Sequence, residues 1–180
     1  NMHNERHLWT SVRPNGPERP HVLNRLELRI CDLICNVDLL LAITALLELR
    51  IINLKNNIKK YDPIEASAKT QTELALLSDE NDLNAAKSSL DANLFHWRNG
   101  EQIKCRDWIK EILLDVTPLA KELDIFELLQ PIESVLANGN QSMIWLDSYA
   151  KGESIQSLLQ KGISEIEQEE SNFIQMKSTY

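Results

Sequence analysis

A long apolar run that begins near Asn36 constrains the fold more than any other feature of the sequence. Residues 37–57, VDLLLAITALLELRIINLKNN, are apolar on nearly every side for about five helical turns before the run becomes polar and basic. Asn36 or Asp38 is suited to cap the start of a helix. Charges such as Glu48 and Arg50 interrupt the run, which favours a core helix over a membrane span. We therefore predict a helix that packs against a sheet.

Upstream of this helix, residues 22–31 alternate between apolar and charged residues, as a half-buried strand does. The apolar face comprises Val22, Leu26, Leu28 and Ile30, and the charged face comprises Arg25, Glu27 and Arg29. The rise of a strand places Glu27 and Arg29 about 7 Å apart on one face. A carboxylate is a suitable ligand for Mg²⁺, and an adjacent arginine can hold phosphate oxygens. The pattern is compatible with a nucleotide-phosphate site, and also with a surface charge ladder on an antiparallel sheet.

The charge distribution restricts the class of partner. Twenty-seven acidic against nineteen basic residues give a net charge of −8, which argues against nucleic acid or an anionic membrane surface as the main partner. Five of the eight arginines nevertheless lie within the first 29 residues, where no lysine occurs. Because a guanidinium can bind carboxylate or phosphate through two hydrogen bonds, this bias indicates an anionic ligand; a solvated basic surface is the alternative.

The cysteines and the first residues indicate a cytoplasmic protein. Cys31, Cys35 and Cys105 have no C-x-x-C spacing, so the sequence suggests neither a disulfide framework nor a zinc site. The first twenty residues are polar and contain no apolar signal segment. Because the chain opens directly into dense charged sequence, we expect it to be the C-terminal part of a larger protein, with residues 1–180 forming a single domain.

The rest of the chain is mostly helical by pattern. Residues 1–21 are proline-rich and predict a loop, and Asn99-Gly100 predicts a hairpin over residues 93–105 with a type I′ turn. Asn138-Gly139 is typical of a helix end. The predicted helical segments are one helix with a loop over 62–80, a short helix over 82–90, helices over 106–122 and 124–138, and one or two helices through 174.

Four segments, taken in order, resemble the glutamate-cysteine ligases and related carboxylate-amine ligases, in the branch found in bacteria including cyanobacteria. "LWTSVRPNG" is similar to the W-D-x-R-P segment of that family, and "NRLELRICD" to its E-V/L-R-x-x-D segment. "ENDLNAAKSSLDANLF" resembles E-N-x-x-x-A-A-R-x-G-L-D-A, with Lys87 and Ser89 where the family usually has Arg and Gly. "ILLDVTPLAKELD" and "VLANGN" resemble the family's final helices. The resemblance covers nearly all of the 180 residues.

The resemblance implies an α+β fold, namely the helix-rich C-terminal part of a glutamine-synthetase-like catalytic domain with antiparallel strands. Residues 1–35 would form an active-site loop and strand, and residues 36–180 mostly helices. The implied reaction is ATP-dependent: the γ-carboxylate of glutamate is phosphorylated, and the amine of cysteine attacks this γ-glutamyl phosphate to give γ-glutamylcysteine. This is the first step of glutathione biosynthesis, and the fragment alone is expected to be inactive.

The resemblance also implies roles for individual residues. Glu27 corresponds to the metal-ligand glutamate, which would hold Mg²⁺, and Arg29 to the catalytic arginine that contacts the transferred phosphate. Arg13 corresponds to a substrate or nucleotide contact. Asp32 corresponds to the Asp of the motif and is assigned a structural role, since it can cap the following helix.

Two alternatives remain open at this point. The enzyme could join glutamate or another carboxylate to a different amine, because E-x-R concerns phosphate and metal rather than the amine acceptor. The chain could instead be a non-catalytic helical interaction module whose polar strand face is only surface. The expected partners of the ligase are the small molecules glutamate and cysteine, with no nucleic acid and no membrane.

Overall fold

A computed structural model describes residues 10–13, 25–28 and 34–177 of the chain. The chain divides into two compact units, Asn1–Ile34 and Cys35–Tyr180. The described residues are dominated by helices, and their strands form two separate two-stranded antiparallel sheets. The predicted α+β class is therefore confirmed. None of the helices in the described ranges combines the length and apolar character that a membrane span requires.

In the first unit, strands β1 (Thr10–Arg13) and β2 (Arg25–Leu28) pair antiparallel. The predicted strand over 22–31 is confirmed at its centre, and its ends lie outside the described residues. The prediction of a loop over 1–21 is wrong for β1. Its sequence, TSVR, is rich in β-branched residues and contains no proline, so nothing in it opposes pairing.

The second unit is built around α1 (Val37–Asn56), which begins where the sequence predicts. Asn36 caps it, because its Oδ1 accepts a hydrogen bond of 2.7 Å from the backbone N–H of Leu39. Ala42, Ala45 and Leu49 form its buried stripe. Within this unit the partners of α1 are helices rather than the predicted sheet: α5 (Cys105–Glu122), a 3₁₀ turn over 126–129, and α6 (Gln130–Asn138).

The hydrophobic core lies where these helices meet. Ala42 and Ala45 of α1 have small side chains, which let α5 approach closely. The facing residues of α5, Val116 and Ala120, are therefore fully buried. The remaining buried members come from the 3₁₀ turns that follow α4 and α5 and from α6 itself: Leu90, Leu129, Ile132 and Leu136. This core holds α5 against α1 and thereby fixes the relative positions of polar side chains beside it, such as Arg50 of α1 and Asp115 of α5.

Two short helices, α2 (Ile58–Tyr61) and α3 (Pro63–Ala66), lead into α4 (Gln71–Ser88). The sequence predicts a helix with a loop over 62–80 and a short helix over 82–90; α3 and the break over 67–70 agree with the first part, but the second helix is longer than predicted because it begins at Gln71. A capping box between Thr70 and Glu73 starts α4, and no glycine or proline interrupts its 18 residues. α4 ends at Ser88, and the next residue, Ser89, has a φ of +50° and begins a 3₁₀ turn over 89–91.

The predicted hairpin is confirmed, with β3 (Asn93–Phe95) paired to β4 (Gln102–Lys104). Its turn is not the predicted type I′ turn, which needs positive φ at both central residues. Gly100 has φ +75°, whereas Asn99 does not have positive φ. The connection instead spans 96–101, and the N–H of Gly100 donates to the carbonyl of His96 at 2.7 Å.

Beyond α6 the chain forms α7 (Gln141–Ala150) and α8 (Ile155–Lys177), which pack against each other. The predicted stop at Asn138-Gly139 is confirmed, since Gly139 ends α6 with φ +95°. Gly162 of α8 lies against the ring of Trp145, where a Cβ would approach the indole to 3.0 Å.

Candidate functional site

The backbone register of β1 and β2 brings two of the predicted site residues together. Ser11 lies opposite Glu27, and Arg13 lies opposite Arg25. Directly opposed residues of an antiparallel pair, and alternate residues of each strand, share one face of the ladder. Arg13 and Glu27 therefore occupy neighbouring positions on the same face. The two residues were predicted from separate sequence motifs, and the pairing of β1 with β2 is what brings their positions together.

Two further predicted residues cannot be placed in the same way. Arg29 and Asp32 lie outside the described residues, so their assignments stay predictions. Within the described ranges, no group of three or more His, Cys, Asp or Glu side chains could hold a metal ion. Glu27 is the predicted ligand for Mg²⁺, and a complete Mg²⁺ shell needs further oxygen ligands from other residues, substrate phosphates or water.

The segment that resembles E-N-x-x-x-A-A-R-x-G-L-D-A has a structural function in the fold. The side-chain amide of Asn81 bonds both backbone groups of Phe95: its Oδ1 accepts from the N–H at 2.6 Å, and its Nδ2 donates to the carbonyl at 2.9 Å. Asn84 Nδ2 also donates to the carbonyl of Asn93 at 3.2 Å. Two amides on one face of α4 thus hold strand β3 in place.

The second half of the same segment connects α4 to α5 and α7. Asp91 Oδ1 accepts from Arg106 Nη2 at 3.0 Å. Ser89 Oγ accepts from Asn140 Nδ2 at 2.7 Å, while Asn140 Oδ1 caps α7. Lys87, at the position where the family usually has Arg, is exposed at the end of α4. Through these contacts, the motif connects α4 to the hairpin, α5 and α7.

Asp115 of α5 is the centre of the densest polar cluster in the described residues of the second unit. Its Oδ2 accepts from Arg50 Nη1 at 3.0 Å, from Asn53 Nδ2 at 3.1 Å and from the hydroxyl of Tyr61, and its Oδ1 accepts from Lys60 Nζ at 2.7 Å. Burial raises the pKa of this carboxyl, but the hydrogen bonds from Lys60 and Tyr61 and the nearby positive charges outweigh burial and hold the pKa below its ordinary value. Asp115 is therefore ionised at neutral pH.

Sequence reasoning missed this cluster, although one signal could have indicated it. Arg50 interrupts the apolar run of α1, and Asp115 interrupts the apolar stretch "ILLDV" of α5. Two opposite charges in two core helices favour pairing with each other, because an unpaired charge there is costly. The participation of Lys60 and Tyr61 could not be seen in this way, since it depends on the path of the chain after α1.

Beside Asp115 lies a small open cavity of about 170 Å³, which we call the Tyr61 pocket. Three cations surround the ring of Tyr61, with Arg50 at 4.4 Å, Lys60 at 4.9 Å and Arg98 at 5.8 Å from its centre. Arg98 also lies 4.4 Å above the ring of Trp97. The pocket is lined by Arg50, Lys60, Tyr61, His96, Trp97, Arg98, Trp108, Glu111, Ile112 and Asp115.

His96 forms the aromatic wall of the Tyr61 pocket together with two tryptophans. Its ring stacks on Trp97 at 6.0 Å and meets Trp108 at 5.0 Å, and its Nε2 lies 3.9 Å from a carboxylate oxygen of Glu111. Burial lowers the pKa of His96 and the charge of Arg98 lowers it further, while Glu111 acts in the opposite direction. The net pKa lies below the ordinary value, so the imidazole is neutral at pH 7.

Two cysteines lie in the described residues of the second unit, and the surroundings of Cys105 do not activate its thiol. Cys35 and Cys105 are free thiols, and burial raises the pKa of Cys105. A reactive thiol needs the opposite shift, because the thiolate is the nucleophile. Cys31 lies outside the described residues.

Comparison with known proteins addresses the remaining question of family. No curated protein matches the sequence. The family model described as glutamate-cysteine ligase family 2 matches residues 1–161, which include the β1–β2 ladder, the hairpin and all helices through α7. A match over this much of the chain identifies the family and a ligase of the carboxylate-amine type. The chain belongs to glutamate-cysteine ligase family 2.

Proposed function

We propose that this chain is part of an ATP-dependent glutamate-cysteine ligase that makes γ-glutamylcysteine, the first step of glutathione biosynthesis, in the cytoplasm. The observation that carries the proposal is the family match over residues 1–161. The register that gives Arg13 and Glu27 neighbouring positions on one face of the β1–β2 ladder supports it. The substrates are small molecules, in agreement with a net charge of −8 that disfavours nucleic acid.

In this proposal, the first unit supplies charged side chains for phosphoryl transfer. Glu27 holds Mg²⁺, which supplies Lewis-acid charge neutralisation at the transferred phosphate when it is bound. Arg29 binds the transferred phosphoryl oxygens through its guanidinium, and Arg13 contacts substrate or nucleotide. Such fixed cations act on the charge that develops during transfer, which is the main task of a protein in this class of reaction. The remaining metal and substrate ligands come from residues other than these three.

The reaction is tested with the intact protein of which these 180 residues are part. We expect ADP release that requires both glutamate and cysteine, and γ-glutamylcysteine as the product. A panel of other amines in place of cysteine determines the acceptor. If ADP release required glutamate with a different amine, the assignment to cysteine would be wrong and the broader carboxylate-amine ligase assignment would stand.

The role of Glu27 is tested by Glu27→Gln, which removes the charge and keeps the size of the side chain. We expect kcat to fall at least about 100-fold and the Mg²⁺ concentration needed for half-maximal activity to rise. Glu133→Gln, on the exposed surface of α6, is the matched control and should change neither value. Unchanged activity and unchanged Mg²⁺ dependence of Glu27→Gln would favour the non-catalytic interaction module.

A further inference from the structure

The Tyr61 pocket carries more positive charge than its own carboxylates neutralise. Three cations and two carboxylates line it, in a chain whose net charge is −8. Asp115 is already shared among Arg50, Lys60 and two uncharged donors. Arg98 makes no ion pair with any carboxylate in the described part of the chain. A positive charge that is only partly compensated therefore remains at the mouth of the cavity.

Contacts on several sides hold Arg98 in its position. Its Nη2 donates to the carbonyl of Lys60 at 2.8 Å, and its guanidinium stacks on the ring of Trp97. Its own carbonyl accepts from the N–H of Ala68 at 2.6 Å, and Ser67 Oγ donates to the carbonyl of Trp97 at 2.6 Å. A guanidinium fixed in this way loses little conformational freedom when it binds an anion, which favours binding.

The dimensions of the pocket restrict the ligand. A cavity of about 170 Å³ is smaller than the roughly 300–1,000 Å³ typical of sites for larger organic ligands, so a whole nucleotide does not fit. The aromatic faces nearest the cations are already covered, since Arg50 and Lys60 lie over Tyr61 and Arg98 over Trp97. What the pocket still offers is the hydrogen-bonding capacity of guanidinium and ammonium groups, which suits an oxyanion.

We propose that the Tyr61 pocket binds a small oxyanion, a phosphate or a carboxylate group, through the guanidinium of Arg98 and the ammonium of Lys60. The pocket belongs to the unit Cys35–Tyr180, whereas the predicted ligase residues belong to Asn1–Ile34, so this proposal does not depend on the proposed function. The side chain of Lys60 lines the cavity and is 54 % exposed, so its ammonium is accessible to a ligand that enters from solvent.

The test is a titration of the full chain with inorganic phosphate, sulfate, acetate and glutamate at constant ionic strength, with chloride as the reference anion. Trp97 and Trp108 line the pocket, so tryptophan fluorescence reports binding. We expect saturable binding with a Kd of about 1 mM or below for at least one oxyanion. The phosphate and sulfate arms distinguish a phosphate-type site from the carboxylate type that acetate and glutamate represent.

A substitution and a second readout locate the binding. Arg98→Met keeps an unbranched stem over Trp97 but removes the charge, and it should weaken binding at least 10-fold. Arg106→Met is the control, because Arg106 pairs with Asp91 outside the pocket lining. Bound anion should also raise the pKa of His96, measured by NMR of its ring proton, which His96→Gln assigns.

Three results would overturn the proposal: no saturable titration with any of the four anions, equal affinity in Arg98→Met, or an unchanged His96 pKa at saturating anion. If Arg98→Met fails to fold, Lys60→Met replaces it, with Lys110→Met as its exposed control. Equal affinity of Lys60→Met and Lys110→Met would then count against the site in the same way.

Discussion

Ser89 holds a backbone conformation that favours glycine, and this makes a quantitative test of the fold possible. Its φ of +50° and ψ of −130° end α4 and turn the chain toward the hairpin. A residue with a Cβ in such a sparsely populated region is strained by about 1–3 kcal/mol. Its hydroxyl offsets part of this strain by accepting the hydrogen bond from Asn140, which contributes about 1 kcal/mol.

Comparison of Ser89→Gly with Ser89→Ala isolates the strain, because both changes remove the hydroxyl. Glycine relieves the strain, but it also raises the entropy of the unfolded chain, at a cost of about 0.4–1 kcal/mol relative to alanine. We therefore expect the free energy of unfolding to be about 1 kcal/mol higher for the glycine variant than for the alanine variant. For a chain of this size, the difference corresponds to about 2–4 °C in Tm.

The assay is urea and thermal unfolding of the full chain followed by circular dichroism. Ser164 is the control, because it lies exposed in the interior of α8. There the order should be reversed, with Ser164→Ala more stable than Ser164→Gly by about 1 kcal/mol. If alanine were as stable as glycine at position 89, the backbone conformation assigned to Ser89 would be refuted.

Three further predictions concern the second unit. Asp115→Asn should lower the free energy of unfolding by about 2 kcal/mol, because Arg50 and Lys60 lose a charged acceptor. The measurement is urea unfolding, and a decrease of less than about 0.3 kcal/mol would contradict the stabilising role of the Asp115 cluster. Asn81→Ala should lower the free energy of unfolding by about 2 kcal/mol, because two hydrogen bonds to β3 are lost. The amide of Phe95 should also exchange its hydrogen faster, and an unchanged exchange rate would refute the contact. Because the pKa of His96 is lower in the folded than in the unfolded state, the unfolded state binds the proton first as the pH falls below about 6.5. The stability should therefore be full above that pH and decrease below it, and His96→Gln should flatten this part of the pH profile.

The local parts of the fold could be predicted from the sequence. The start of α1 depends on Asn36 and its immediate neighbours, and the end of α6 depends on Gly139, so short-range capping chemistry was sufficient for both. The hairpin was predicted for the same reason. Its turn was not, because contacts of residues 97 and 98 with Ser67 and Ala68 select a longer connection than Asn99-Gly100 favours in isolation.

The candidate sites required contacts between distant positions. The partners of Asp115 lie 54 to 65 positions away in the sequence, so no local pattern could assemble them. Likewise, the pairing of β1 with β2 determines that Arg13 and Glu27 share a face. The motif containing Asn81 was recognised by resemblance, but its bonds to β3 became visible only when α4 and the hairpin were placed together.

These bonds have a consequence for association between molecules. The open edge of a two-stranded sheet presents N–H and C=O groups to which a strand of another molecule can add. At the β3 edge, Asn81 occupies both backbone groups of Phe95, and Asn84 occupies the carbonyl of Asn93. α4 thereby protects this edge from strand addition. Loss of the Asn81 amide would leave the backbone groups of Phe95 open to pairing with a strand of another molecule, and the resulting aggregation would increase with protein concentration.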